Sequence, residues 1–158
     1  MNMMKKIGIT ILITFLAFGY AHAQDYNTAI GIRGGFANGL TLKHFVSQKA
    51  AVEGIISSRW RGLELTGLYE VHGRAFDTDR LNWYVGFGGH IGFYNGNDTR
   101  WGEDRSYTVI GLDGIFGLEY NFSEIPLNLN IDWKPSFNFY GYSGFWGDGG
   151  ALSIRYIF

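Results

Sequence analysis

Twelve ionisable side chains recur at alternating positions along this chain: Arg33, Lys43, Glu53, Glu64, Glu70, His72, His90, Asp113, Glu119, Asp132, Lys134 and Arg155. Both signs are represented, so the chemistry open to them is ion pairing, proton relay or base catalysis by a histidine. Base catalysis needs a nucleophile within hydrogen-bond reach. His44 and Ser47 are three apart, and His72 and His90 have no serine beside them, so no catalytic residue is expected. The stretch "GFGGHIG" (86–92) does not match G-x-G-x-x-G and gives no nucleotide site. Asp98, Glu103 and Asp104 offer oxygen ligands, but without the regular spacing of a calcium loop. Cysteine is absent, which excludes thiolate zinc sites and disulfides. No cofactor and no metal are expected.

The elements that carry these residues are strands. In "PLNLNIDWKPSFNF", Leu127, Leu129, Ile131, Trp133, Phe137 and Phe139 share one face, and Asn128, Asn130, Asp132, Lys134, Ser136 and Asn138 share the other. Ile110, Leu112, Phe116, Leu118, Tyr120 and Phe122 alternate in the same way with Gly111, Asp113, Ile115, Gly117, Glu119 and Asn121. Period two recurs throughout, and no segment after residue 23 shows a helical apolar period. Eight strands are expected, at 28–37, 40–46, 50–58, 62–73, 81–94, 107–122, 126–139 and 149–158. Asn38-Gly39 is a two-residue hairpin signal. Loops 95–106 and 141–149 are the long ones. An even number of antiparallel strands closes into an all-β up-and-down barrel.

Residues 1–23 read as a secretory signal peptide. Lys5 and Lys6 precede the apolar run Ile7–Phe18, and Ala21-His22-Ala23 supplies the cleavage site. Residues 24–158 are then one domain. They hold 11 basic and 14 acidic side chains, a formal charge of −3, which argues against a nucleic-acid partner. Aromatics are 18% of the chain, and glycine supplies 24 residues against 2 prolines.

Volume decides which face points inward. The interior of an eight-stranded barrel is only just wide enough for side chains to fill it. The apolar faces hold Trp83, Phe87, Phe93, Phe116, Trp133, Phe137 and Phe139, a set too bulky to enter. The other face mixes glycine (31, 35, 86, 88, 92, 111, 117) with small polar and charged residues. The charges therefore point in and must pair, and the apolar face needs lipid. This predicts a transmembrane barrel plugged by its charge network rather than an open channel, with a narrow small-solute pore as a lesser alternative. Aromatic girdles are expected from Trp60, Tyr94, Phe139 and Tyr140 at one rim and from Phe45, Trp83, Phe122 and Phe158 at the other.

Leu152, Ile154, Tyr156 and Phe158 alternate to the last residue. This ending resembles the C-terminal signature of bacterial outer-membrane barrels, which the barrel-assembly machinery reads. The whole of 24–158, with "GIRGGF…GLTLKHF" and "LELTGLYEVHGRAF", resembles the small eight-stranded outer-membrane proteins of the OmpX and OmpA-transmembrane type in Bacteroidetes-like bacteria. The resemblance implies a monomeric barrel in the outer membrane of a Gram-negative cell. It would place 38–39, 59–61, 95–106 and 141–149 outside and 47–49, 75–80 and 123–125 in the periplasm, with a structural or surface-interaction role in membrane integrity or adhesion. The alternative reading is a lipid A-modifying outer-membrane enzyme, ahead of the pore. The lipid A deacylase of similar size uses a His and a Ser two residues apart, and this chain has no H-x-S. The palmitoyltransferase relative uses a loop histidine that is also missing here. Arg59, Arg61, Arg100 and Arg105, with Trp60 and Trp101, are candidate contacts for lipopolysaccharide phosphates.

Overall fold

The computed structural model describes residues 26–59, 62–95, 106–141 and 143–158. Ten strand segments follow one another: β1 Thr28–Gly35, β2 Asn38–Phe45, β3 Ala50–Arg59, β4 Gly62–Arg74, β5 Leu81–Asn95, β6 Ser106–Asn121, β7 Leu127–Trp133, β8 Ser136–Tyr140, β9 Gly144–Trp146 and β10 Gly150–Ile157. All pairings are antiparallel: β1 to β6 each pair with the next segment, β6 also pairs with β8, β8 with β9 and β7 with β10, and β1 with β10 closes the ring. The segments β7 and β8 are one stave. Leu118↔Ile131 and Leu112↔Phe137 keep the same register across Lys134-Pro135, where proline has no N–H to give the ladder. Segments β9 and β10 form the eighth stave, pairing with β8 and β7 respectively. The fold is a closed eight-stranded antiparallel up-and-down barrel.

The seam joins the two ends of the chain. Ala29 faces Ile157, and the pairing runs on to Gly35 and Ala151. Thr28 N–H donates to the Phe158 carbonyl at 2.9 Å, and Phe158 N–H donates back at 2.8 Å. Both ends of the seam therefore leave no unpaired edge for another strand to join.

Side chains divide by parity. Outward residues are large and exposed: Ile32 at 63%, Phe87 at 70% and Ile131 at 56%. Inward residues are buried and mostly polar, and among them Ile55, Leu68, Tyr84 and Ile115 form one apolar cluster. A soluble monomer rarely exposes apolar patches beyond a few hundred Å². Here the exposed apolar residues encircle the barrel.

Three local expectations need correction. The first turn lies at 36–37, and Asn38 and Gly39 belong to β2. Gly39 is set by close approach instead: a Cβ there would strike the Ile56 carbonyl, while the Asn38 side chain accepts from Gly35 N–H at 3.2 Å. The segment 141–149 contains β9 rather than being loop throughout. Tyr94 and Phe45 are not girdle residues. Both have inward parity, Tyr94 being buried, because parity and not residue type decides the side.

Glycines split into two kinds with opposite expected effects. At Gly31 a Cβ would strike the Ile154 carbonyl, whereas at Gly54 and Gly67 it would meet nothing within 4 Å. Gly31→Ala should destabilise the folded barrel by about 1–3 kcal/mol through overpacking. Gly54→Ala and Gly67→Ala should stabilise it by roughly 0.5–1 kcal/mol, by removing the entropic cost of glycine in a strand. Urea unfolding in lipid vesicles reads both, and equal effects at the two kinds of site would contradict the register.

Candidate functional site

Every one of the twelve ionisable residues singled out from the sequence has inward parity, and all except the half-buried Glu64 are buried. Ten of them assemble into two groups, and Arg33 and Asp132 pair with each other at the level of Tyr84 between them.

The first group occupies the end of the lumen near Thr28 and Phe158. Lys43 Nζ lies 2.7 Å from Glu70, 3.6 Å from Glu53 and 3.7 Å from Glu119. It also sits 4.0 Å above the Tyr84 ring. Arg155 pairs with Glu53 through Nη2, and both touch the Thr41 hydroxyl. His72 Nε2 is 3.1 Å from Glu70, and its Nδ1 is 3.3 Å from Glu119. Three carboxylates thus face two fixed cations, and His72 is the group positioned to balance the third. Tyr26 closes this end. Its hydroxyl donates to Glu119 at 3.0 Å, and its ring packs edge-on against Phe45, 5.1 Å between centroids.

The middle level is where Ile55, Leu68 and Ile115 meet around Tyr84. The Tyr84 ring stacks on His72, and its hydroxyl reaches away from the first group to donate to Asp132 at 3.1 Å. Asp132 is held from the other side by a two-pronged bond from Arg33, at 2.5 and 2.6 Å. Bidentate guanidinium–carboxylate pairs are the strongest and most directional of the charge-assisted bonds.

The second group lies toward the opposite mouth. Lys134 Nζ is 3.0 Å from Asp113 and 3.3 Å from Glu64. Tyr94 donates to Glu64 at 2.8 Å. His90 Nδ1 pairs with Asp113 at 2.9 Å, and its Nε2 pairs with Asn138 at 2.7 Å. Ser136, remote from His90 in sequence, donates to the same Asp113 at 2.5 Å. Serine, histidine and carboxylate therefore do meet, but the serine proton is directed at the carboxylate and the imidazole Nε2 faces an amide. A nucleophile activated by histidine needs the serine on the imidazole itself. Above this group a cavity of about 60 Å³ opens, lined by Arg59, Glu64, His90, Lys134, Trp146 and Asp148, with room for a few water molecules. Arg59 and Asp148 clasp across its rim at 2.6 Å.

Sequence reading missed Tyr26, Thr41, Tyr84, Tyr94, Asn138 and Asn128, whose amide donates to Glu119 at 3.3 Å, as members of these networks. Parity would have found five of them, since they share the charged face of their strands. Tyr26 precedes the first strand, so periodicity gives no signal there. Among the described residues no group of three or more His, Asp or Glu is arranged to hold a metal. Of the candidate phosphate contacts, Arg59 is committed to Asp148. Arg61, Arg100 and Arg105 lie outside the described residues, as do Trp60, Trp101 and the acidic side chains Asp98, Glu103 and Asp104. At the C-terminus Leu152, Ile154 and Phe158 are exposed on the outer face, with Tyr156 half-buried on the same parity.

The fold and its polarity define the class: an all-β barrel with charges inside and an apolar exterior. No family model matches the sequence, and no curated protein matches it. Among solved structures the barrel is similar to the N-terminal β-barrel domain of Pseudomonas aeruginosa OprF. The TM-score is 0.65 at 12% identity, covering 85% of this chain and 100% of that one. At that identity the likeness establishes the fold.

Removing one partner of a fully buried ion pair leaves an uncompensated charge, at a cost of about 3–5 kcal/mol. Arg155→Leu should lose about that much stability in urea titrations of the vesicle-folded protein. The double variant Arg155→Leu/Glu53→Leu should recover part of the loss. A double variant as unstable as the sum of the two single changes would show that the pair is not coupled.

Proposed function

We propose that this chain is an integral outer-membrane β-barrel with a closed lumen, of the small OmpX and OmpA-transmembrane kind, serving a structural or surface-interaction role in membrane integrity or adhesion. The observation that carries the reading is the reversed polarity. Large apolar side chains ring the outside while Lys43, Arg155, Glu53, Glu70 and Glu119 are buried within. Only lipid makes that arrangement favourable, because outward burial of each large apolar side chain is worth about 1.5–3 kcal/mol, and closed barrels satisfy every backbone group in hydrocarbon.

Residues 1–23 direct export in this reading, and the alternating end Leu152, Ile154, Tyr156 and Phe158 is what the barrel-assembly machinery engages. Lipopolysaccharide is the external lipid partner. The barrel acts as a monomer, and the reading assigns it neither a catalytic step nor a cofactor. The two charge groups and the apolar level support a plug, because the buried side chains of Ile55, Leu68, Tyr84 and Ile115 pack together between them. Function then resides in the loops at the mouth away from the termini.

Two measurements test this. Mature protein from an isolated outer-membrane fraction should migrate faster unboiled than boiled on a denaturing gel; recovery from the soluble periplasm with no heat shift would overturn the reading. In planar bilayers the wild type should show no discrete conductance steps, whereas Ile55→Gly/Leu68→Gly, which thins the apolar level, should show them. Stepwise currents from the wild type would replace the plug with a narrow pore.

A further inference from the structure

The connections at the end of the barrel that holds Thr28 and Phe158 are short and polar by composition, yet each of them carries an exposed large apolar residue. Val46 lies in the turn 46–49, Phe76 in 75–80, and Phe122 and Ile125 in 122–126; Phe158 marks the seam. These positions fall at the gaps β2/β3, β4/β5, β6/β7 and β10/β1, which is every second gap around the ring. Val46, Phe122 and Phe158 directly adjoin β2, β6 and β10 and continue the outward parity of those strands.

Phe76 is the extreme case. Its side chain is 85% exposed, and its backbone is left-handed, with φ of 53°, followed by 51° at Asp77 and 70° at Arg80. A bulky residue in that region is strained, in a chain that uses glycine freely elsewhere. The turn holds the strain with Ala75 N–H donating to the Leu81 carbonyl at 2.8 Å, and Thr78 N–H donating to the Ala75 carbonyl at 3.0 Å. Each turn also carries exposed charge beside its apolar tip: Lys49, then Asp77, Asp79 and Arg80, then Glu124. Apolar and charged side chains are both satisfied at one depth only, the boundary between acyl chains and headgroups.

We propose that these turns are immersed in the lipid interface, with Val46, Phe76 and Ile125 seated among the upper acyl carbons and the neighbouring charges at headgroup level. The occupant of this surface is the bilayer leaflet at the terminus end. A protein partner docking from the aqueous side would need a patch on one flank or residues pointing along the axis. The exposed apolar residues are instead spread over every second gap around the whole circumference, and Val46, Phe122 and Phe158 adjoin the outer apolar band. The inference rests on the membrane reading above and goes beyond it, since it removes the turns from the aqueous compartment.

The chain has no cysteine, so single-cysteine variants can be nitroxide-labelled without further changes. Labels at Val46→Cys, Phe76→Cys and Ile125→Cys would be compared in phosphatidylcholine/phosphatidylglycerol vesicles with Phe87→Cys in the middle of the band and Asp79→Cys in the same turn as Phe76. The ratio of collisions with oxygen to collisions with a water-soluble nickel chelate should be severalfold higher at 46, 76 and 125 than at 79, and lower than at 87. Equal ratios at 76 and 79 would put the turn in water and overturn the proposal while leaving the barrel reading intact. Loss of collisions with both reagents at 76 would mean burial in protein and would also overturn it. A water-like ratio at 87 would sink the membrane reading itself.

Discussion

Hydrogen-bond closure of the sheet governs the rest of this structure. In the membrane setting proposed above, a sheet with an apolar outer face cannot leave an edge unpaired in hydrocarbon, where nothing else would satisfy its N–H and carbonyl groups. Eight staves therefore join at β1 and β10, and the pairing runs to the last residue, where Phe158 and Thr28 exchange two backbone bonds. Closure at eight strands fixes a narrow lumen. The lumen in turn admits glycine, small polar residues and a few long side chains folded against one another. Gly31, Gly86 and Gly117 stand where a Cβ would strike backbone or a neighbouring ring.

That narrow interior explains why the charges are networked. Isolated ions in such a space would cost several kcal/mol each. Lys43 meets three carboxylates, Arg33 grips Asp132 with both nitrogens, and Lys134 bridges Asp113 and Glu64. Buried ion networks are poor evidence of stability in themselves, and apolar replacements are often better tolerated than half-removed pairs. Their role here is specificity. Arg33–Asp132 and Arg155–Glu53 link staves far apart in sequence, and the other pairs join nearer ones. A register slip of one residue would therefore throw the charges of a stave into the outer face and break its pairs together. Tyr84 ties the two groups, stacking on His72 below and bonding Asp132 above.

Much of this was legible in the chain. The fourteen residues of "PLNLNIDWKPSFNF" alternate without a break, and the observed register runs through Pro135 unchanged. The bulk of Trp133, Phe137 and Phe87 against the glycines of the other face was enough to turn the barrel the right way round. Pairing partners were not legible. Arg33 with Asp132 and Arg155 with Glu53 are separated by 99 and 102 residues, and the stagger of the staves decides which charges meet. Local turn chemistry also misled: Asn38-Gly39 suggested a turn, but Gly39 is there for the Ile56 carbonyl. Residue type misled in the same way at Tyr94 and Phe45, whose side is set by parity. Nor could the sequence foresee that Ser136 would share Asp113 with His90, since the three lie on different staves.

The central claim is which face meets lipid, and aliphatic residues on both faces allow it to be measured directly. In the detergent-folded protein, nuclear Overhauser contacts between detergent acyl protons and side-chain methyls would separate the two faces. Contacts at Ile32, Leu65, Ile131 and Leu152, with none at Ile55, Leu68 and Ile115, are the predicted result. Contacts at Ile55, Leu68 and Ile115 with silence on the other four would show the barrel to be the reverse of the one described.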